Sequence, residues 1–185
     1  MNVQITDLRA VDEPKIQQVA RLIVEGFKEH WPDAWPDLNS ALQEVQESLA
    51  AHDRISRIAV GDSNQVLGWI GGIKQYDGNV WELHPLVVRT EFRRQGIGRS
   101  LVADLAAEAK NRGGLVLWLG TDDEDNQTTL SGINLYPNVW EHIAKIRNLR
   151  GHPYEFYQKM GFAIVGVMPD ANGIGKPDIY MAKRL

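Results

Sequence analysis

The middle of the chain places a strand, a turn rich in glycine and arginine, a helix and a second strand in direct succession. The apolar run LHPLVV (83–88) precedes RRQGIG (93–98), and apolar residues then recur at helical spacing over 97–112. Glycines 113–114 end this pattern, because glycine is favoured just beyond a helix C-terminus. The nearly continuous apolar run LVLWLGT (115–121) is typical of a buried central strand. The succession predicts a mixed α/β fold with helices on both faces of a sheet.

Apolar periodicity predicts the remaining elements. Helices are predicted from Pro14 to about Phe27, from Leu38 to Leu49 with Asn39 or Ser40 as the cap, over about 139–148, and within 152–161. Strands are predicted within 2–10, 54–62, 65–76, 78–88, 162–169 and 178–185. Since no repeat or linker interrupts this order, we predict a single domain over residues 1–185.

Composition and charge narrow the classes of function. The 185 residues carry a formal net charge of −4 and include no cysteine. The acidic balance disfavours nucleic-acid binding and favours a basic partner, and the lack of cysteine excludes disulfides and thiolate chemistry. No apolar run approaches the roughly 18 residues of a membrane span, and the N-terminus lacks a signal-peptide pattern. We therefore expect a cytoplasmic protein without nucleic-acid or membrane partners.

Two interpretations of the turn at 93–98 remain open from its residues alone. Gly96 and Gly98 let the backbone turn tightly and approach a ligand, and the N-terminus of the following helix attracts anions. Arginines precede and follow these glycines. The alternative is a solvated turn whose glycines only relieve strain. The turn lacks the Gly-Lys-Ser/Thr of a Walker loop and the third glycine of a dinucleotide fingerprint.

Three motifs, in order, resemble the GNAT superfamily of acetyl-CoA-dependent N-acetyltransferases. Arg93-x-x-Gly96-x-Gly98 is similar to its pyrophosphate loop, LHPLVV to its fourth strand, and EFYQKMGF (155–162) to its late tyrosine helix. The resemblance implies a mixed, mostly antiparallel sheet of six to seven strands, splayed between strands 4 and 5, with acetyl-CoA as cosubstrate and no metal. It assigns acetyl-CoA binding to Leu86, Val87, Val88, Arg93, Arg94, Gln95, Gly96, Ile97, Gly98, Arg99, Ser100 and Tyr157.

A narrower resemblance is to aminoglycoside 6'-N-acetyltransferases of the enterococcal chromosomal type. It rests on WELHPLVV, LGTDD, TTLS, NLRGHPYEFYQKMGF, IVGVMPDANG and KPDIYMAK, from about residue 65 to the C-terminus. It implies antibiotic resistance through acetylation of the 6'-amine in a ternary complex. It also implies a homodimer, for which the C-terminal strand is expected to offer a free edge.

Four residues are candidates for the chemistry. By resemblance, the amide of Leu86 donates to the thioester oxygen, and Tyr157 gives a proton to the departing thiolate. Core packing is the alternative for Tyr157. Glu82 and His84 lie two apart on one strand and therefore project from the same face. Three roles remain open for this pair. One of the two residues accepts the amine proton, or Glu82 only holds the cationic substrate, or the two residues form a surface ion pair.

The acceptor is expected to contact acidic and aromatic side chains. The acidic run 122–125 follows a strand end, where open α/β sheets often bind ligands, although most charge runs are solvated loops. Trp31, Trp35 and Tyr76 are candidates for apolar walls, with packing as the alternative for each. The predicted substrate-binding residues are Trp31, Trp35, Tyr76, Glu82, Asp122, Asp123 and Asp178, with Asp170 a weaker candidate. His30, His52, His142 and His152 show no metal-ligand pattern and are expected at the surface or at helix ends.

Two alternative functions remain open from the sequence. One is a GNAT acetyltransferase for another small amine, a polyamine or a peptide. The other is a non-catalytic sensor that binds acyl-CoA. An assay of amine-dependent thiol release distinguishes the enzyme from the sensor.

Overall fold

The computed structural model describes residues 2–185, which fall into two compact units. One unit extends to Leu115 and includes Leu185, and the other is Val116–Arg184. The single domain over residues 1–185 stays a prediction.

The first unit contains four strands and three helices. Their order is β1 (Gln4–Asp7), α1 (Glu13–Phe27), α2 (Leu38–Ala50), β2 (Arg54–Val60), β3 (Val66–Gln75), β4 (Val80–Val88) and α3 (Ile97–Asn111). Consecutive strands pair antiparallel, in the order β1-β2-β3-β4. Short 3₁₀ turns at Tyr76–Gly78 and Thr90–Phe92 flank β4.

Helices α1 and α2 enclose the main apolar core of this unit together with the strands. In α1 the predicted spacing buries Ile16, Val19 and Ile23. The predicted cap of α2 is wrong: Asp37 caps the helix, and its carboxylate accepts the backbone N–H of Ser40 at 2.8 Å. Ser40 lies at the third helical position, so the two residues form a capping box.

Strand β4 carries an extra residue opposite β3. Ile70 pairs with Leu86 and Gly72 pairs with Leu83, so the two residues at 84–85 oppose Gly71 alone. A Cβ at Gly71 would collide with the carbonyl oxygen of His84, so only glycine fits beside this bulge.

The second unit contains three strands and two short helices. Their order is β5 (Val116–Asp122), α4 (Val139–Ala144), α5 (Tyr154–Lys159), β6 (Ala163–Met168) and β7 (Asp178–Arg184), with a 3₁₀ turn at Tyr136–Asn138. The strands pair antiparallel in the order β5-β7-β6. The expectation that the C-terminal strand has a free edge is therefore wrong, since β7 is paired on both sides. Strand β6 has one partner in this unit.

Helix α4 is shorter than the predicted 139–148. Thr128 forms an isolated bridge with Asn148, and the backbone N–H of Thr129 donates to the carbonyl of Arg147 at 3.1 Å. These pairings remove residues 147–148 from the helix, which ends at Ala144. Within residues 2–185, no helix is both long enough and apolar enough to cross a membrane.

Candidate active site

The turn between β4 and α3 has a backbone that favours glycine. Gly96 precedes α3 with a φ of 87°, and Arg94 has a φ of 61°. Both lie in the left-handed region, which non-glycine residues adopt mainly where the surroundings impose it. Apart from its two chain neighbours, no heavy atom of residues 2–185 would lie within 4 Å of a Cβ at Gly96. The φ of Gly96 therefore favours glycine, while the space beside it is open. Alternating left-handed residues turn successive N–H groups toward one concave face.

The N-terminus of α3 has no capping side chain. The first helical bond runs from the N–H of Ser100 to the carbonyl of Gly96 at 3.0 Å. The N–H groups of Ile97, Gly98 and Arg99 therefore have no acceptor within the helix. Three free amides at the positive end of a helix dipole form a ready anion site. The amide of Ser100 is already paired, so this residue can offer only its exposed hydroxyl.

Two side chains hold the turn in shape. The Nε of Arg93 donates to the carbonyl of Val88 at 3.2 Å, and the Nε2 of Gln95 donates to the carbonyl of Glu91 at 3.3 Å. Arg94 and Arg99 are exposed and carry positive charge beside the free amides. The turn is therefore held by two side-chain hydrogen bonds and has two exposed cations at its rim.

Strand β4 presents two different faces. Leu86 and Val88 are partly exposed, whereas Val87 is 4% exposed and belongs to the apolar core. Side chains alternate across a strand, so only the backbone of Val87 can reach a ligand on the face of Leu86. The predicted cofactor contacts of β4 can therefore be made through main-chain groups.

Glu82 is half buried and lies on the other face of β4, because the extra residue at 84–85 shifts the alternation. Glu82 pairs with Ile73 and Val87 with Trp69, on the same face of β3. The Nε2 of Gln75 donates to its Oε2 at 2.5 Å. Burial raises the pKa of Glu82 above its usual value, while electrostatic interactions with His84 and Arg54 act in the opposite direction. A carboxylate with a raised pKa and one hydrogen bond is suited to accepting a proton or a cation.

An aromatic cluster of the same unit lies beside His84 of β4. The Phe27 ring centroid lies 4.7 Å from that of Trp35 and 5.9 Å from that of Trp31, and Trp35 lies 6.0 Å from His84. The Nε1 of Trp31 is buried without a hydrogen-bond partner among residues 2–185. Tyr76 is 75% exposed in the turn before β4, and no described ring contact joins it to this cluster.

Tyr157 lies in α5 of the second unit, and its side chain is buried. Its ring centroid lies 5.1 Å from that of Phe156 and 5.6 Å from that of Phe162. Burial raises the pKa of the phenol well above its usual value. The hydroxyl therefore keeps its proton at neutral pH and can act as a donor.

The acidic residues of the second unit have three different environments. Asp122 and Asp178 are half buried and directly opposite each other in the β5–β7 register, and the Nδ2 of Asn172 donates to Asp122 at 2.5 Å. Asp123 is fully buried, and its two oxygens each accept a backbone N–H at 2.7 Å, from residues 127 and 128. Its expected contact with the acceptor does not fit this burial, since the carboxylate holds the loop. Glu124 pairs with Lys176 at 3.4 Å.

The sequence model described as the acetyltransferase (GNAT) family matches residues 16–136, which is more than half of the chain. The chain belongs to this family of GNAT acetyltransferases.

Solved structures of aminoglycoside 6'-N-acetyltransferases are similar over almost the full length of this GNAT acetyltransferase. One, complexed with coenzyme A, is 43% identical, with 98% of this chain and 96% of that chain covered and a TM-score of 0.90. Another, from Enterococcus faecium, is 42% identical with the same coverage and a TM-score of 0.88. A third, of type Ii, is 36% identical with a TM-score of 0.74. A search of curated proteins found no match. The predicted family and the mixed α/β fold are confirmed.

Several residues around the candidate site of this acetyltransferase were missed or misassigned from the sequence. Phe27 was recognised only as an apolar helix position, and nothing in the sequence pairs Gln75 with Glu82 or Asn172 with Asp122. His152 lies just before α5, which fits the expected helix end, but it is only 2% exposed and therefore not a surface residue. Asn172 and Asp122 come from distant segments, and the pairing of Gln75 with Glu82 depends on the β3–β4 register, which no spacing pattern gives.

Proposed function

We propose that this GNAT acetyltransferase transfers the acetyl group of acetyl-CoA to the 6'-amine of an aminoglycoside antibiotic. The observation that carries the proposal is the 43% identity over 98% of the chain to an aminoglycoside 6'-N-acetyltransferase complexed with coenzyme A. The uncapped amides at the N-terminus of α3 support the same donor.

The turn before α3 has the features that a diphosphate needs. We propose that the N–H groups of residues 94–99 bind the two phosphates and that Arg94 and Arg99 neutralise their charge. Gly96 supports this role, because its left-handed φ and open surroundings leave room beside the backbone. The backbone of Leu86, Val87 and Val88 would hold the pantetheine arm by strand-like hydrogen bonds.

Acetyl-CoA would supply an activated thioester, and residues of the chain would orient the two reactants and make polar contacts to them. The proposed role of the Leu86 N–H is to donate to the thioester oxygen as negative charge develops there. Glu82 holds the ammonium and accepts its proton, either directly or through water, with His84 beside it. Holding both reactants together removes the cost of a bimolecular encounter.

The proposed role of Tyr157 is to donate its phenolic proton to the departing sulfur. The phenol is protonated at neutral pH, as an unperturbed phenol with a pKa near 10 already is, and burial keeps it so by raising its pKa. A thiol has a pKa near 8.5, below that of the phenol, so the hydroxyl stabilises the departing thiolate mainly by donating a hydrogen bond to the sulfur.

The acceptor is a polycation, and carboxylates are the groups that recognise it. Asp122 and Asp178 are proposed to bind its other amines, and Trp31 and Trp35 to line the sugar rings. Tyr76 stays a prediction without structural support. Asp123 is left out, since both of its oxygens already bind the loop backbone.

A cytoplasmic location and a homodimer complete the proposal. Acetyl-CoA is a cytoplasmic metabolite, which favours that compartment. Strand β6 supports dimerisation, because it has one partner strand in its unit and exposes Val165 and Met168 at 53% and 47%. Light scattering after size exclusion measures the mass, and a monomer at micromolar concentration would contradict the dimer.

The experiment that tests the function is an acceptor panel. The protein is incubated with acetyl-CoA and kanamycin-like aminoglycosides, polyamines, other small amines or peptides, and products are identified by mass spectrometry. A 6'-acetylated aminoglycoside as the best product supports the proposal. A preference for polyamines would change the acceptor, and coenzyme A binding without any product would favour a sensor.

A further inference from the structure

A bidentate ion pair joins helix α3 to the sheet. The N-terminus of this helix forms the proposed diphosphate site. Arg57 of β2 donates from Nε to one oxygen of Asp104 at 2.6 Å and from Nη2 to the other at 3.0 Å. The two side chains are only 13% and 24% exposed. A planar guanidinium that binds both carboxylate oxygens fixes direction as well as distance. The third contact of Arg57 is to Asp7 of β1, which is 65% exposed.

Two glycines of β3 set how closely α3 approaches the sheet. A Cβ at Gly68 would lie 2.9 Å from Leu101 Cδ1 and 3.4 Å from Ile97 Cγ2. A Cβ at Gly72 would lie 2.7 Å from Leu105 Cδ1. Ile97, Leu101 and Leu105 follow at four-residue spacing along one face of the helix, so this face rests directly on the glycine backbone.

These contacts act on the free amides through the helix itself. Asp104 lies seven residues after Ile97, which is about 10 Å along the helix axis. A helix of this length moves as a rigid rod, so a shift or rotation at Asp104 also displaces its N-terminus. Apolar packing tolerates small slides of a helix, whereas a bidentate ion pair does not.

We infer that Arg57 and Asp104 are positioning residues for the acetyl donor: their ion pair fixes α3 so that the amides of its N-terminus meet the diphosphate. The inference rests on the proposed function. Neither residue has to touch the donor, and the effect is specific to donors that carry the diphosphate.

The test compares two donors in the full-length protein. Acetyl-CoA carries the diphosphate, whereas S-acetylpantetheine delivers the same thioester without it. For Asp104→Asn we expect the KM for acetyl-CoA to rise about fivefold or more, with kcat and the acceptor KM within about twofold of the wild type. The kcat/KM for S-acetylpantetheine, taken from the initial slope, is expected to stay within about twofold. These limits reflect the loss of donor positioning without loss of the reacting groups.

Asp7→Asn is the matched control. It removes the same charge and another contact of the same arginine, yet the described ion pair of the Asp7 carboxylate is with Arg57 and not with α3, so the KM for acetyl-CoA is expected to stay unchanged. Arg57→Lys keeps the positive charge but cannot bind both carboxylate oxygens of Asp104 in the same way, so we expect a KM for acetyl-CoA between those of the wild type and Asp104→Asn. Thermal unfolding of each variant shows that the fold is retained.

The outcomes separate this inference from the function on which it rests. If the wild type neither binds coenzyme A nor transfers acetyl groups, the proposed function fails. If the wild type is active, but Asp104→Asn lowers kcat/KM equally with both donors or behaves like Asp7→Asn, the positioning role is wrong.

Discussion

The imidazole of His152 bridges to the carbonyl oxygen of Asp122, with its Nε2 3.0 Å away. Its Nδ1 accepts the backbone N–H of Tyr154 at 3.2 Å, so the proton must lie on Nε2, which donates to Asp122. The neutral ring thus ties the end of β5 to the start of α5, three residues before Tyr157. A second proton on Nδ1 would break the bond from Tyr154.

The first prediction concerns stability at acidic pH. Burial lowers the pKa of His152, although the carbonyl of Asp122 and the negative charges of Asp123 and Asp122 act in the opposite direction. The unfolded chain then binds a proton more readily than the native one, so the free energy of unfolding should fall as the pH drops from about 6.5. One such group contributes at most about 1.4 kcal/mol per pH unit. Urea unfolding between pH 8 and pH 5 measures this.

In His152→Gln this part of the pH dependence should disappear. The control is His52→Gln, since His52 is exposed, and it should keep the wild-type slope. An unchanged slope in His152→Gln would assign the pH dependence to other groups.

The second prediction concerns the proton donor. Tyr157→Phe removes the hydroxyl and keeps the ring, so kcat should fall about a hundredfold, with the dissociation constant of coenzyme A within about twofold. Tyr154→Phe is the matched control, because it alters a buried tyrosine of the same helix and should leave kcat near that of the wild type. Steady-state kinetics and calorimetry measure the two quantities. A wild-type rate in Tyr157→Phe would remove Tyr157 from the mechanism.

The third prediction concerns Glu82. Because burial raises its pKa, the acidic limb of the pH profile of kcat/KM should lie above the usual range of a glutamate. Glu82→Gln should lower kcat/KM for the acceptor by about tenfold or more and abolish this limb. Glu25→Gln makes the same charge change at an exposed position of α1 and should have no effect. If the limb persists in Glu82→Gln, another group titrates there.

The fourth prediction concerns recognition of the cationic acceptor. Asp178→Asn should raise the KM for an aminoglycoside by about tenfold at low salt, and the effect should shrink as ionic strength increases, because salt screens charge attraction. The neighbouring Glu124→Gln should change the KM little, since Glu124 already pairs with Lys176. Initial rates at two salt concentrations measure both variants. Equal effects of the two substitutions would indicate only a diffuse charge effect.

Local features of the fold were readable from the sequence. Helix α1 and the turn before α3 were predicted because an apolar repeat and a glycine pair act on the backbone within a few residues. The cap of α2 was misplaced by two or three residues, because several polar residues in succession can each cap a helix and only the observed bond of Asp37 selects one.

The candidate site was less predictable, because the same residue type serves different purposes in different surroundings. Asp122 and Asp123 are adjacent and chemically identical, yet the first remains half exposed while the second is buried under the backbone that it binds. Asp122 is the last residue of β5 and Asp123 is the first residue beyond it, so their side chains point in different directions. That difference exists only once the loop after β5 has closed.

The sequence by itself determined where the chain turns and which elements form, since glycine conformation, helix periodicity and strand alternation are local properties. It also determined the family, because the family's motifs are short stretches of sequence that can be recognised without a structure. Only the tertiary structure decided that Arg57 binds Asp104, that His152 is buried and that β7 lies between two strands. Each of these joins segments far apart in the chain, and their free energy depends on burial and distance, which no local pattern records.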